Sequence, residues 1–201
     1  FCGNCMRNCP FGAMMDKSQL VDVLKHILNN ENVVAMYAPA IAGQFKASSE
    51  QLEEGLQQAG FSKVYEVAKG ADITAALEAK EFEERMARGE KLMTTSCCPA
   101  YVRAVHRHVP DLDPCISDTK SPMHYIAELA KKENPGCVTV FIGPCLAKRR
   151  EGMDDNNVDY VLSAEELAAY FTAKNIDLMQ IDSEEKSESE KASKSGRNFA
   201  V

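Results

Sequence analysis

The chain has 201 residues, 45% of them apolar, and a formal net charge of -7, enough for one domain with a substantial core, or one domain and an appendage. The acidic balance argues against a general nucleic-acid surface, and the absence of a long apolar run or a charged-then-apolar leader points to a cytoplasmic protein with no membrane span. Eight cysteines are many for such a chain; a secreted disulfide framework normally belongs to shorter chains with small cores.

Residues 1–17 form a cysteine-rich opening with the run Cys2-x2-Cys5-x3-Cys9-Pro10. It is the last three-quarters of the bacterial ferredoxin pattern C-x2-C-x2-C-x3-C-P, whose thiolates and amides wrap a 4Fe-4S cubane. The leading cysteine is absent, and in two-cluster ferredoxins the fourth cysteine serves the other cluster. These three residues complete neither cluster alone, so a partial 4Fe-4S segment and three unligated thiols both stand as readings.

Residues 18–182 alternate helix and strand. Ser18 to Asn29 has apolar residues at helical spacing. Val33 to Tyr37 is an apolar strand that ends at Ala38-Pro39, and Ser49 opens a helix that closes at Gly60. Lys63 to Val67 reads as a second strand, Asp72 to Arg88 as a long helix, and Lys91 to Thr95 as a third strand running into Cys97-Cys98-Pro99. Tyr101 to His108 and Ser121 to Lys132 read as helices, Cys137 to Ile142 as an apolar strand running toward Cys145, and Asp159 to Leu162 as a strand. Ser163 and Glu166 form a capping box for a helix to Thr172. The alternation predicts an α/β fold, a mostly parallel sheet with helices on both faces. Residues 183–196, SEEKSESEKASKSG, have no large apolar residue and read as a polar linker or disordered loop; residues 197–201 begin a further segment.

Two more motifs carry chemistry. Thr95-Ser96-Cys97-Cys98-Pro99-Ala100-Tyr101 presents adjacent thiols that cannot easily join each other. Their side chains diverge, so one can bind a cluster while the other faces a substrate; a chance vicinal pair in a core is the alternative. In Gly143-Pro144-Cys145-Leu146-Ala147-Lys148-Arg149-Arg150-Glu151, a helical turn puts a thiol, an ammonium and a carboxylate on one face. Taken alone, the Lys and Glu also fit a solvated helix face.

In this order and spacing the motifs resemble the [FeFe]-hydrogenase family over nearly the whole chain. TSCCPAY looks like its first signature loop, TSCCPxW, and PCLAKRRE like its second, PCxxKxxE. Iron–sulfur assembly factors that share the fold without the diiron site are the second-best resemblance, and the lysine and glutamate suit them less well. The resemblance implies a 4Fe-4S cubane joined to a diiron unit bearing CO, cyanide and a dithiolate amine, together the H-cluster. It makes Cys98 and Cys145 two of four cubane ligands; the other two belong to a third loop that these residues do not contain. It makes Cys97 the thiol that exchanges protons with the bridging amine and Lys148 the donor to a cyanide. Glu78, Glu81, Arg85, Ser117 and Glu151 match a proton relay, although surface charge would equally explain the helix carboxylates. Cys2, Cys5 and Cys9 fall in the family's accessory-cluster region. The implied activity is interconversion of protons and H2, or H2 sensing, in an anaerobe's cytoplasm, with a ferredoxin or another redox protein as electron partner. A non-enzymatic 4Fe-4S module and a chain inactive by itself are the competing readings. Gly143 stands where many members have methionine, Ala40 where many have serine, and Tyr101 where they have tryptophan; these departures resemble divergent or sensory branches. Cys115 and Cys137 read as buried core thiols, and the four histidines as surface or packing residues.

Overall fold

The structure, a computed structural model, describes residues 3–41, 43–182 and 191–199. In chain order it contains α1 (Asn4–Asn8), α2 (Leu20–Leu28), β1 (Val33–Tyr37), α3 (Ser49–Ala59), β2 (Lys63–Glu66), α4 (Ala68–Ala87), α5 (Pro99–His108), α6 (Pro122–Glu133), β3 (Val138–Ile142), α7 (Ala147–Met153), β4 (Tyr160–Leu162), α8 (Ala164–Ala173) and α9 (Lys194–Arg197). Local signals set several of the ends. Capping boxes at Ser48/Gln51 and Ser163/Glu166 start α3 and α8, proline stands at the head of α5 and α6, and α3 stops on Gly60 in the left-handed conformation. Among the described residues no helix is long and apolar enough to cross a membrane.

The four strands form one parallel sheet in the order β2-β1-β3-β4. The fold is therefore α/β, as the alternation implied. All five residues of β1 are buried, because both faces of the sheet are covered. Val33, Ala35 and Tyr37 pack with Val23 of α2, Leu52 and Leu56 of α3, and Leu167 and Phe171 of α8. Val34 and Met36 point the other way, toward Met123, Ile126 and Ala130 of α6. The two central strands diverge in connection, β1 leading outward to β2 and β3 outward to β4. The carboxyl ends of β1 and β3 thus flank the switch point where open α/β sheets place their sites.

On the α6 side, α4 packs against α6 so closely that a Cβ on Gly70 would lie 2.3 Å from the Pro122 carbonyl oxygen. Gly70→Ala is expected to force the helices apart and cost about 1–3 kcal/mol, read as a lower urea midpoint with an unchanged slope. An unaltered midpoint would show that the contact yields freely.

Two expectations need correction. Lys91 to Thr95 is not a strand: Thr94 makes one isolated parallel bridge, to Ile116, and the run joins no sheet. Its exposed Lys91 and Leu92 offer no face for a sheet to bury. The expected linker of residues 183–196 is not free throughout. Residues 183–190 lie outside the described residues, but Lys191 pairs with Glu50 at 3.1 Å and the Ser193 N–H donates to Asp72 at 3.0 Å. Ser193 also caps α9, which lies against α4. Polar composition there reflects attachment through charged and hydroxyl groups. Cys137 is buried as expected, while Cys115 is only half-buried.

Candidate functional site

β3 ends at Ile142, and Gly143-Pro144 carries the chain to Cys145, exposed beside the switch point. α7 begins two residues later. The Lys148 N–H donates to the Cys145 carbonyl at 3.1 Å, which folds the turn back over the strand end. Lys148 and Glu151, three residues apart on α7, form an ion pair at 2.6 Å with both side chains largely buried. The Lys148 ammonium also donates to the Cys97 carbonyl at 3.2 Å, and Ser121 Oγ donates to Glu151. The second loop is thereby tied to the first through a charged hydrogen bond to backbone.

The first loop is held from beneath by α4. Arg85 is buried; it donates to the Pro114 and Ile116 carbonyls at 2.8 and 2.9 Å and pairs with Glu81 at 2.7 Å. These bonds pin residues 114–118 to α4. The Ser117 N–H in turn donates to the Thr94 carbonyl at 2.8 Å, which aligns the stretch entering Cys97. Cys98 is the N-cap of α5, its sulfur accepting from the Tyr101 N–H at 3.5 Å, where the helix dipole suits an anionic sulfur. Cys98 is exposed, and Cys97 is half-buried.

Three carboxylates differ in setting. Glu81 accepts from Ser117 Oγ at 2.5 Å, Thr119 Oγ1 at 2.9 Å and the Asp118 N–H at 3.0 Å, besides Arg85. Burial would raise its pKa, but these donors and the guanidinium outweigh it and hold the carboxyl down at about 2. Glu78, one turn earlier, is buried and accepts from the Ser96 N–H at 3.4 Å. Burial pushes its pKa up and the neighbouring Glu81 charge adds to this, against the Ser96 and Ser117 donors. Two carboxyls one turn apart are thus pushed in opposite directions, the pattern that separates a proton-exchanging acid from a fixed anion. Glu151 is the third, bound by Lys148 and Ser121.

The depression at Glu81 has a testable consequence. Its folded pKa lies below the ordinary value of about 4.3, so the stability it contributes is complete above that value and is lost as pH falls toward 2. The contribution is roughly 3 kcal/mol at about 1.4 kcal/mol per pKa unit. Between pH 5 and 2 the wild type should lose more stability than Glu81→Gln; parallel acid profiles would show that Glu81 titrates normally.

Between the loops lies a cavity of about 110 Å³. Its walls include Ala38 and Ala40 after β1, Met123 of α6, Phe141 of β3 and Phe199. Among the described lining residues only Cys97 and Lys148 can ionise. Cys98, Cys145, Glu78, Glu81 and Ser117 lie outside its walls; Glu151 and Ser117 border a larger open groove beside it, with Arg103 and Arg107.

At the other end of the chain, Cys5 is exposed on α1 and Cys9 follows it. The Cys9 thiol is lowered by the backbone N–H groups of Phe11, Met14 and Ala13, a wrap of donors around one sulfur. Cys2 lies outside the described residues. This opening is docked: Asp16 pairs with Arg149 of α7, which also binds Glu166 at 2.5 Å and donates to the Val161 carbonyl at 2.9 Å. Among the described residues no three His, Cys, Asp or Glu side chains converge as a metal-binding group, and all seven described cysteines are unpaired. Cys98 and Cys145 leave two open thiols at neighbouring loops.

Several contacts escaped the sequence reading. Arg149 sits in a KRRE run that looks like a solvated face, yet it is buried. Ser121 and Thr119 carry no signal beyond residue type. His26 bridges Glu31 at 2.8 Å and Tyr160 at 2.9 Å, and His124 pairs with Asp155 at 2.7 Å; both are packing links, as expected of the histidines.

The model of the family described as iron only hydrogenase large subunit, C-terminal domain, matches residues 31–201. The chain is 28% identical over 216 residues to the NADP-reducing hydrogenase subunit HndD of Solidesulfovibrio fructosivorans, covering 92% of this chain and 37% of that protein. It is 28% identical over 205 residues to iron hydrogenase 1 of Clostridium pasteurianum, covering 88% of this chain and 35% of the relative. A solved [FeFe]-hydrogenase, HydA1 of Chlamydomonas reinhardtii, superposes with a TM-score of 0.76 at 26% identity, over 85% of this chain and 51% of that one. The chain therefore spans little more than a third of the two curated relatives and half of the solved structure.

Proposed function

Because the chain belongs to the iron-only hydrogenase large-subunit family, we propose that it forms the first part of a hydrogenase catalytic domain, in a protein that interconverts protons and electrons with H2 or senses H2. The observation that carries this reading is the apolar cavity at the sheet's switch point whose only described ionisable liners are Cys97 and Lys148. Such a cavity, with almost wholly apolar walls, leaves one thiol and one cation facing its occupant. Cys98 and Cys145, open on the adjoining surface, would hold two corners of a 4Fe-4S cubane. When bound, the cubane and its diiron unit supply the electrons and the site at which H2 is made or split.

The chain's own residues do the rest. Cys97 carries a proton between the chamber and Glu78, which lies beside the Ser96 amide and has the raised proton affinity of an exchanging acid. Glu81, saturated by four donors, stays ionised and orients the Ser117 hydroxyl, while Arg85 holds both in place. Lys148 presents a cation to anionic ligands and is steadied by Glu151. Cys2, Cys5 and Cys9 would contribute thiolates to an accessory cluster, which would supply electron transfer from a ferredoxin or similar redox protein in the cytoplasm.

The test is a polypeptide that continues this chain through a third cysteine loop, reconstituted with iron and sulfide, matured with the diiron unit and supplied with reduced methyl viologen. Hydrogen evolution supports the proposal. A stable cubane with neither hydrogen turnover nor infrared bands of CO and cyanide would point to a non-enzymatic iron–sulfur module. The 201-residue chain by itself is expected to evolve no hydrogen, since it brings two of the four cubane thiols; robust evolution from it would overturn the assignment of Cys98 and Cys145.

A further inference from the structure

We infer that Arg149 is a positioning residue for electron entry: it seats the cysteine opening on the second loop, with Gly3 resting on Leu146, the residue after Cys145. The opening has little else to hold it. Within the described residues, the hydrogen bonds of residues 3–15 stay inside that segment. Asp16 is its first polar tie to the α/β domain, and Arg149 is the partner.

Arg149 is buried, and each of its three nitrogens is engaged. Nε meets the Asp16 carboxylate, Nη1 donates to the Val161 carbonyl at 2.9 Å, and Nη2 pairs with Glu166 at 2.5 Å. A guanidinium carries five N–H donors in one rigid fork, so a single side chain fixes α7, β4, α8 and the opening in one arrangement. Neighbouring residues extend the joint along the same edge. Ser18 Oγ donates to Glu166, and Gln19 Oε1 accepts from the Val161 N–H at 2.8 Å. Side chains thereby take both backbone groups of Val161, which an edge strand otherwise leaves unpaired.

The contact at the far end of the opening is close. A Cβ on Gly3 would lie 2.8 Å from Leu146 Cδ1, and Gly3 has a φ of +80°, the left-handed backbone that favours glycine. The opening also suits a cluster, because the N–H groups of Phe11, Met14 and Ala13 surround the Cys9 sulfur. Electron tunnelling breaks no bond and falls off steeply with distance, so what it asks of the protein is a fixed, close seat. The inference rests on the proposed function in reading the opening as the side from which electrons arrive.

Methyl NMR of the 201-residue chain tests the seat without any cluster. In wild type the Leu146 methyls should show NOE cross-peaks to the Gly3 α protons. Asp16→Ala removes the opening's carboxylate and leaves Arg149 with Glu166 and Val161. It should abolish those cross-peaks and speed hydrogen exchange in α1 about tenfold or more, the worth of one hydrogen bond to a charged group, while exchange in β4 and α8 stays as in wild type. Arg149→Lys keeps the charge without the fork and should lose the same cross-peaks. Cross-peaks absent from wild type, or persisting in either variant, would overturn the inference. So would exchange in β4 and α8 that rises with that of α1 in Asp16→Ala, since the pair would then be a brace for the sheet edge and not a seat for the opening. The hydrogenase reading is judged separately, by hydrogen evolution from the completed polypeptide.

Discussion

In a polypeptide completed by the third cysteine loop, Cys97→Ser is expected to keep its iron and lose about 10²–10⁴-fold in hydrogen turnover, the range that positioned proton transfer contributes. The two adjacent thiols have different surroundings. Cys98 caps α5 and opens to the surface, whereas Cys97 lines the apolar chamber with Lys148. A serine hydroxyl nearly matches the thiol in size but is a far weaker acid, so geometry survives while proton exchange with the chamber fails. Cys98→Ser should have the opposite signature, loss of the cubane absorbance. Cluster loss in Cys97→Ser with retention in Cys98→Ser would reverse the two assignments.

Lys148→Ala in the same completed polypeptide should keep the cubane and lose most of the diiron unit. The ammonium is largely buried, so its attraction for an anionic ligand is less screened than in water. One hydrogen bond to a charged group is worth about 1.5–3 kcal/mol, or roughly ten- to hundred-fold in retention at about 1.4 kcal/mol per decade. The same nitrogen holds the Cys97 carbonyl and Glu151, so its removal also loosens the first loop and takes from Glu151 the cation that it shares with the Ser121 hydroxyl. The infrared bands of bound CO and cyanide report the outcome. Unchanged band intensities in Lys148→Ala would mean that Lys148 is not a ligand-facing group.

Much of the architecture was legible in local pattern. Val33 to Tyr37 was read with the bounds that β1 has, and the capping boxes and Gly60 marked helix ends, because those signals act within a turn of the chain. The failure at Lys91 to Thr95 has a definite cause. A short run near a cysteine motif looks like a strand, but a strand exists only if a partner edge takes up its hydrogen bonds, and Thr94 finds a single bridging residue. The helix carboxylates show the same limit. Glu78, Glu81 and Arg85 share a helical face in the sequence, and surface charge explains that spacing equally well. Their burial comes from Pro114, Ile116 and Ser117, about thirty residues downstream.

The sequence by itself determined the parallel α/β class and the family, since hydrophobic period and motif spacing are properties of neighbouring residues. The tertiary structure alone decided which thiol meets the chamber, which carboxyl is held ionised and which has its proton affinity raised. Those outcomes depend on desolvation and on donors brought in from distant segments, and neither exists until the helices close over the sheet.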